Sequence, residues 1–261
     1  MKKIIITGSK GYIGQHLVKM LSHYNDLYEV IEYEGDINDK LTFYSVDTVI
    51  HLAALVRVNE SVKEPSKYYN NNLGGTINIL NKIVYNNFIF ASSGTASSPN
   101  NPYAFSKRAC EDVVKEVCNK KDLNYTIFRF YNVIGTDGFP PTNPDGLLYN
   151  LIKAANTGEF NLYGTDYNTP DGTCIRDYVH VNEICEALIK AIDKPANGLE
   201  NLGTGIGYTV RAIIRAFKKV NNVDFTVNEY PRREGDLERT VLDNVSSYMS
   251  QKYQLEDLIK L

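Results

Sequence analysis

Tryptophan is absent from the 261 residues, histidine and cysteine occur four times each, and neither sign of charge dominates. Each shortage removes a class of function. Cys110, Cys118, Cys174 and Cys185 form no C-x-x-C pair and stand beside no histidine cluster, so neither a zinc site nor a disulfide framework is expected. The expectation is free thiols in a reducing cytoplasm, and no metal. With 28 basic against 31 acidic residues the formal charge is -3, which gives no electrostatic basis for binding nucleic acid or an anionic membrane. No apolar stretch approaches the ~20 residues of a membrane span, and the run ahead of Gly8 is too short for a signal peptide. Repeats, low-complexity tracts and linkers are lacking too. What remains is ordinary, 43% hydrophobic and 23% charged. It suffices for one large α/β domain, or for a nucleotide-binding domain with a small companion.

Lys3 to Thr7 reads as a buried parallel strand, a β-branched run cut off by glycine. Gly8-Ser9-Lys10-Gly11-Tyr12-Ile13-Gly14 follows as a G-x-x-G-x-x-G turn, and the amphipathic HLVKMLSHY comes next. Strand, glycine turn and helix in that order let backbone amides approach a pyrophosphate at a helix N-terminus. A glycine loop with no ligand is the plainer alternative. Tyr28 to Glu34 looks like a second strand, and an acid near its end would take ribose hydroxyls. Glu34 or Asp36 could do so, or could equally be a solvated turn carboxylate. An acid there favours NAD, whereas Lys10 could meet a 2′-phosphate; NAD is the expectation.

Asp47 to Ala54 is another buried strand whose small Ala53 and Ala54 admit close approach of a cofactor, and His51 within it reads as a core histidine. Tyr69, Leu73, Ile77, Leu80 and Val84 recur at helical spacing and predict the packed face of a helix over Tyr68 to Tyr85. Asn70, Asn71 and Asn72 at its start face either cofactor or solvent. With strands at Phe88 to Ala91 and Tyr125 to Phe130, the alternation predicts an α/β fold with a doubly wound parallel sheet. From Gly135 to Pro170 proline and glycine become dense around one helix, Leu147 to Ala155, and the expectation is a lid region rather than more sheet. A strand at Ile175 to Val181, a helix at Ile184 to Ile192, another with Val210, Ile213, Ile214, Phe217 and Val220 as its apolar face, and the cationic loop Pro231 to Leu237 complete the chain.

Between Ala91 and Glu111 stands a Tyr-x-x-x-Lys pair, Tyr103 and Lys107, at the start of a helix. Positions i and i+4 share a helix face, so phenol and ammonium can point into one site. A cation beside a phenol should pull its pKa down and make a general acid/base of it. Ser93, just past the preceding strand, could hold a substrate oxygen against Tyr103. By itself the pair is a weak signal, since both residue types are common on exposed helix faces.

TGSKGYIG, HLAA and YAFSK, and with more specificity ESVKEPSKYYNNN, NNFIFASSGT, YGTDYNTPDGTCIRDYVHV and YPRREGDL, run nearly the length of the chain. In them the sequence resembles the extended short-chain dehydrogenase/reductase family, and within it the UDP-hexose 4-epimerases. The resemblance implies a Rossmann-type NAD-binding domain over 1-134 with 174-196, and a sugar-nucleotide-binding region over 135-173 with 197-261. It implies Tyr103 as acid/base, Lys107 as its partner and a cofactor-ribose ligand, and Ser93 on the sugar oxygen. Gly8, Gly11, Tyr12, Ile13 and Gly14 would meet the cofactor phosphates, Asp36 and Ile37 the adenosine, and Leu52, Ala53, Ala54, Asn71 and Tyr131 the rest. Asn132, Leu148, Arg176, Arg233, Asp236 and Thr240 would bind the UDP-sugar, with Tyr163 against the uracil. Two arginines can neutralise a diphosphate, and an aromatic ring offers a base a flat surface. The activity implied is interconversion of UDP-glucose and UDP-galactose through a 4-keto sugar, in a homodimer joined through the helices near Tyr68 and Tyr103.

Ser93-Gly94-Thr95-Ala96 carries no acid, whereas family dehydratases and decarboxylases place a carboxylate beside the catalytic hydroxyl; dehydration is disfavoured. Small Thr240, at the position that limits the sugar pocket, should admit the N-acetylated sugars UDP-GlcNAc and UDP-GalNAc. The sequence departs from the family in a second unit contracted at Glu34-Gly35 and a short loop from Thr95 to Pro102. Leu147 stands where an asparagine is expected, and Val56 where a lysine is. A 4-keto sugar-nucleotide reductase and a binding protein without turnover are the competing readings.

Overall fold

The computed structural model describes residues 1–39, 44–233 and 235–261, so Glu234 of the cationic loop lies outside the described residues. Two compact units emerge, Met1–Phe130 with Cys185–Asn201, and Tyr131–Ile184 with Leu202–Leu261.

The first unit is built on a six-stranded sheet, in the order Gly198–Leu202, Asn124–Phe130, Asn87–Ser93, Thr48–His51, Lys2–Thr7 and Tyr28–Tyr33. The last five of these strands are parallel to their neighbours. Such strands are covered on both faces, which is why Ile4, Ile5 and Ile6 in succession are fully buried. Lys2–Thr7 lies between Tyr28–Tyr33 and Thr48–His51, so the strand order reverses there, and the carboxyl ends of Lys2–Thr7 and Thr48–His51 form the crevice where such sheets take ligands. The contraction after Glu34 has a structural counterpart. Tyr28–Tyr33 is the sheet edge among the described residues, and the short strand Tyr44–Ser45 pairs with Ile83–Val84 away from the main sheet.

His51 is a core residue: it is 1% exposed, with Nδ1 2.6 Å from Thr7 Oγ1 and Nε2 3.0 Å from Thr76 Oγ1. Burial, with the Lys107 charge adding to it, pushes its pKa from 6.5 down to about 3. The unfolded chain therefore takes up this proton first as pH falls. The stability His51 confers is whole above pH 6.5 and drains away toward pH 3. Between pH 7 and pH 4.5 the melting temperature should fall less in His51→Gln than in the parent, as read by circular dichroism.

The helical stretch after Pro65 corrects the expected packed face. It runs as α-helix Pro65–Tyr68, a π-helical turn Tyr69–Gly74 and α-helix Gly75–Lys82, and it is followed by a strand at Ile83–Val84. Leu80 of that face is buried and Leu73 packs against the core, but Tyr69, Ile77 and Val84 are exposed, and the rest of the buried stripe lies one position over, at Tyr68, Asn72, Thr76, Ile79 and Ile83. Polar members of that stripe are satisfied internally. Asn72 donates to Leu55 O and Ser106 Oγ, Leu55 N donates to Asn72 Oδ1, and Thr76 donates to Asn72 O. Hydropathy picks out the apolar stripe beside the one that hydrogen bonding buries.

In the second unit Ile175–His180 pairs in parallel with Asn132–Ile134 and with Arg239–Thr240, and antiparallel with Gly207–Thr209. Glu159–Tyr163 and Thr226–Tyr230 form a further parallel pair, where a lid without sheet was expected. The helix Leu147–Thr157 and the strongly amphipathic Val210–Asn221 close a core that includes Leu148, Leu151, Phe160, Ile213 and Phe217. Thr209 caps the latter helix by accepting from Ala212 N. Among the described residues no helix is long and apolar enough to cross a membrane, and no group of histidine, cysteine and carboxylate side chains is placed to hold a metal ion.

Candidate functional site

In the first unit the glycine turn packs the helix Tyr12–Leu21 directly on the end of the first strand. Gly8 has φ +74°, and a Cβ there would lie 2.8 Å from Ala53 N; on Gly14 it would lie 2.2 Å from Gly8 O. Both clashes are with backbone, so neither glycine can be replaced without moving the turn. Gly11 is the helix N-cap, with Tyr12 and Ile13, both half-buried, in the first turn. Leu52 N donates to Thr7 O and Ala53 N to Thr7 Oγ1, which fixes Leu52, Ala53 and Ala54 beside Gly8. Ser9 is 2% exposed and its hydroxyl has no partner. A tight turn with no room for side chains at Gly8 and Gly14, with an orphaned hydroxyl, leading into a helix N-terminus suits a diphosphate.

The acids flanking this turn are engaged. Lys10 Nζ lies 2.8 Å from Glu34 Oε1, and each group strengthens the other's charge, raising the pKa of Lys10 and lowering that of Glu34. Asp36 Oδ1 accepts from Asn38 N and Nδ2, and Asn38 also donates to Asn71 Oδ1. Ile37 is buried against Gly75, where a Cβ would come within 2.4 Å of it, and its carbonyl accepts from Asn78.

Ser93 ends the strand Asn87–Ser93, and its side chain caps the 3-10 turn Gly94–Ser97 by accepting from Thr95 N. Asn101 caps the helix Pro102–Lys121 by accepting from Ala104 N, with Pro102 as its first residue. These two caps fix where Tyr103 begins its helix relative to Ser93, whose hydroxyl is close enough to act on the phenol and pairs with Thr95 Oγ1 at 2.9 Å. The phenol does not behave as expected from Lys107. Its ring is partly exposed, but enough protein surrounds the hydroxyl for burial to push its pKa up, with Ser93 alone pulling back. Lys107, 4% exposed, sends its ammonium to Ala91 O at 2.7 Å and over the Phe90 ring at 4.8 Å. Burial lowers the Lys107 pKa to about 8, against the pull of Cys110 and Glu111.

Two supports went unforeseen in the sequence. Glu111, 3% exposed, is held bidentately by Arg129 at 2.8 and 2.6 Å and accepts from Ser92 Oγ, which ties the strand end carrying Ser93 to the helix carrying Lys107. Tyr68 packs edge-on against the Tyr103 ring with centroids 6.5 Å apart, and its hydroxyl donates to Glu60 Oε2. Charged or polar residues at buried helical spacing were the available signal.

The second unit gathers a separate cluster. Arg176 and Arg233 both act electrostatically on Cys174 and Tyr178. Arg233 Nε donates to Asp236 Oδ2 at 2.9 Å, and the guanidinium stands 5.5 Å over the Tyr163 ring, which itself stacks on Tyr230. Thr240 is the register partner of Arg176, and Asn132 donates to Asp177 O. Asp177, fully buried, accepts from Thr204 N and Oγ1, Gly205 N and Leu242 N, fixing the strand of Arg176 beside that of Thr240. Tyr131 N donates to Leu202 O in this unit. Leu148 stands apart from these groups: at 2% exposed it is part of the hydrophobic core and packs rather than reaches for a ligand.

Residues 4–207 match the model of the NAD dependent epimerase/dehydratase family. A UDP-glucose 4-epimerase from Rhizobium meliloti is 32% identical over 292 aligned positions, covering 92% of this chain and 88% of that protein. That alignment is longer than the chain, so it opens gaps in it, as a contracted member requires. A UDP-glucose 4-epimerase from Bifidobacterium longum, solved in complex with NAD+ and UDP, superposes with a TM-score of 0.85 at 27% identity, covering 98% and 96% of the two chains. The UDP-Glc/GlcNAc 4-epimerase of Campylobacter jejuni gives 0.80 at 28% identity, covering 100% and 97%. Over most of its length, in sequence and in fold, this chain belongs to the NAD dependent epimerase/dehydratase family.

Proposed function

We propose that the chain is a UDP-hexose 4-epimerase that interconverts UDP-glucose and UDP-galactose with bound NAD. One arrangement carries the reading: the Ser93 hydroxyl is close enough to the Tyr103 phenol to favour its ionised form, with buried Lys107 one turn further along the same helix. Most of the cofactor's ligands belong to the first unit and most of the nucleotide's to the second. Gly8, Gly11, Tyr12, Ile13 and Gly14 hold the diphosphate of NAD, and the partnerless Ser9 hydroxyl and the tight turn support that fit. Asp36, Ile37, Leu52, Ala53, Ala54, Asn71 and Tyr131 serve the remainder, and Lys107 the nicotinamide ribose. When bound, NAD accepts and returns hydride at the sugar C4.

The protein's own groups do the rest. Tyr103 Oη takes the proton of the sugar 4-hydroxyl while Ser93 holds that oxygen. Arg176 and Arg233 neutralise the diphosphate, Asn132, Asp236 and Thr240 flank it, and Tyr163 supports the uracil. With the nucleotide fixed, the 4-keto sugar turns about the bond from its anomeric oxygen to phosphorus and presents the opposite face of C4 for the returning hydride, while Tyr103 gives the proton back to the C4 oxygen. UDP-galactose added to the purified protein should yield UDP-glucose; no conversion, with or without added NAD, overturns the reading.

Glu34 supports NAD over NADP. It neutralises Lys10, the one cation of the glycine turn, and its carboxylate would repel a 2′-phosphate. Glu34→Gln is expected to tighten NADPH binding about tenfold while NADH binding stays within twofold, the size of one charge-assisted contact, in a nicotinamide-fluorescence titration. Thr240 leaves room for an N-acetyl group, and the Campylobacter jejuni relative is named for both sugars. UDP-GlcNAc should be turned over within about tenfold of UDP-glucose, a gap of ~1.4 kcal/mol; a much lower rate contradicts the open pocket. Exposed Tyr69, Ile77 and Phe105 offer apolar surface for a homodimer, and four buried free thiols suit the cytoplasm.

A further inference from the structure

Tyr167 is a buried tyrosine whose hydroxyl has no hydrogen-bond partner. The side chain is 4% exposed and tightly framed. A Cβ on Gly164, which has φ +78°, would come within 2.5 Å of its ring, and the Arg232 guanidinium stacks over that ring 4.0 Å from the centroid. Arg232 is itself fixed by Asp166, at 2.6 Å from Nε to Oδ1 and through the Asp166 carbonyl. Backbone bonds from Tyr167 N to Gly172 O and from Thr169 N to Tyr167 O complete the frame. Leaving a hydroxyl buried and unpaired is destabilising, so a frame that holds one in place calls for an explanation. The surroundings supply one: Arg232 lies over the ring, Asn168 N donates to Glu238 Oε2 on the segment whose Arg239 and Thr240 pair with Ile175 and Arg176, and Asp236, Cys174 and Arg176 also act electrostatically on the phenol. Three of these neighbours bear on an anion. Arg176 and Arg232 attract it, and Asp236 occupies Arg233 in a pair that an incoming anion would compete for.

The geometry points to Tyr167 as a further substrate-binding residue, donating its O–H to an anionic oxygen of the diphosphate in a nucleoside-diphosphate sugar. This rests on the reading of the second unit as the UDP-binding part. A phenol suits this role because it adds a directional donor beside two guanidiniums without adding charge.

Tyr167→Phe removes the oxygen alone and keeps the ring beneath Arg232, so the test is specific. UDP binding to the full chain, measured by calorimetry, should weaken about tenfold, the loss of one hydrogen bond to a charged group. The melting temperature of the variant without ligand should stay level or rise, because an unsatisfied group has been deleted. UDP affinity unchanged in the variant overturns the assignment, and so does a fall of several degrees in the ligand-free melting temperature, which would mean that the hydroxyl already has a structural role. If the parent protein fails to bind millimolar UDP, the UDP reading of the unit falls and Tyr167 with it. Parent binding with no change in Tyr167→Phe removes this inference alone.

Discussion

Tyr103→Phe is expected to lower the epimerisation rate by about 10²–10⁴, the usual contribution of a positioned general acid/base, while the protein still folds and retains its cofactor. Phenylalanine keeps the ring packed edge-on against Tyr68 and loses only the oxygen that Ser93 engages. The loss should appear in kcat, with the affinity for UDP unchanged, because the groups proposed to bind the nucleotide are in the second unit. A variant retaining more than a tenth of the parent rate in a coupled UDP-glucose assay would show that another group moves the proton. The pH profile of the parent carries a related signature. Lys107 holds its charge below about pH 8 and loses it above. With the charge gone the bond from Lys107 to Ala91 O weakens, and the part proposed for Lys107 at the cofactor ribose declines as the pH rises through 8.

Glu111→Gln should destabilise the first unit by about 3–5 kcal/mol, since it strips the charge partner from a guanidinium that is largely buried. Arg129 and Glu111 side chains are 12% and 4% exposed, so water cannot replace the lost bidentate contact. Urea denaturation followed by circular dichroism reads this directly. Replacing both partners by methionine should recover most of the loss, because two apolar groups leave no charge stranded. A single substitution costing under ~1 kcal/mol would place this pair with the weak surface bridges.

The parts legible in the sequence are those where one residue type is forced by geometry. Gly8 and Gly14 announce the turn because any side chain there strikes backbone, and Ile4 to Ile6 announce a strand covered on both faces. The Ser93–Tyr103 link is readable from strand, turn and helix in sequence. What stays hidden depends on partners distant in the chain. Asn72 and Thr76 look like surface residues until Leu55, Ser106 and His51 are brought to them, so hydropathy points to the neighbouring apolar stripe instead. Lys107 looks free to polarise Tyr103, and only the fold reveals that its ammonium goes to Ala91 O. The pairing of Glu159–Tyr163 with Thr226–Tyr230 joins segments some sixty residues apart, each without a distinctive pattern of its own.

UDP-galactose deuterated at C4 gives the most direct test, with the product analysed by NMR and mass spectrometry. A 4-epimerase of this mechanism forms UDP-glucose that keeps the deuterium at C4 in the opposite configuration, with no net consumption of NADH or NADPH. Loss of the label to water, or product formed only in step with added reduced cofactor, would contradict it.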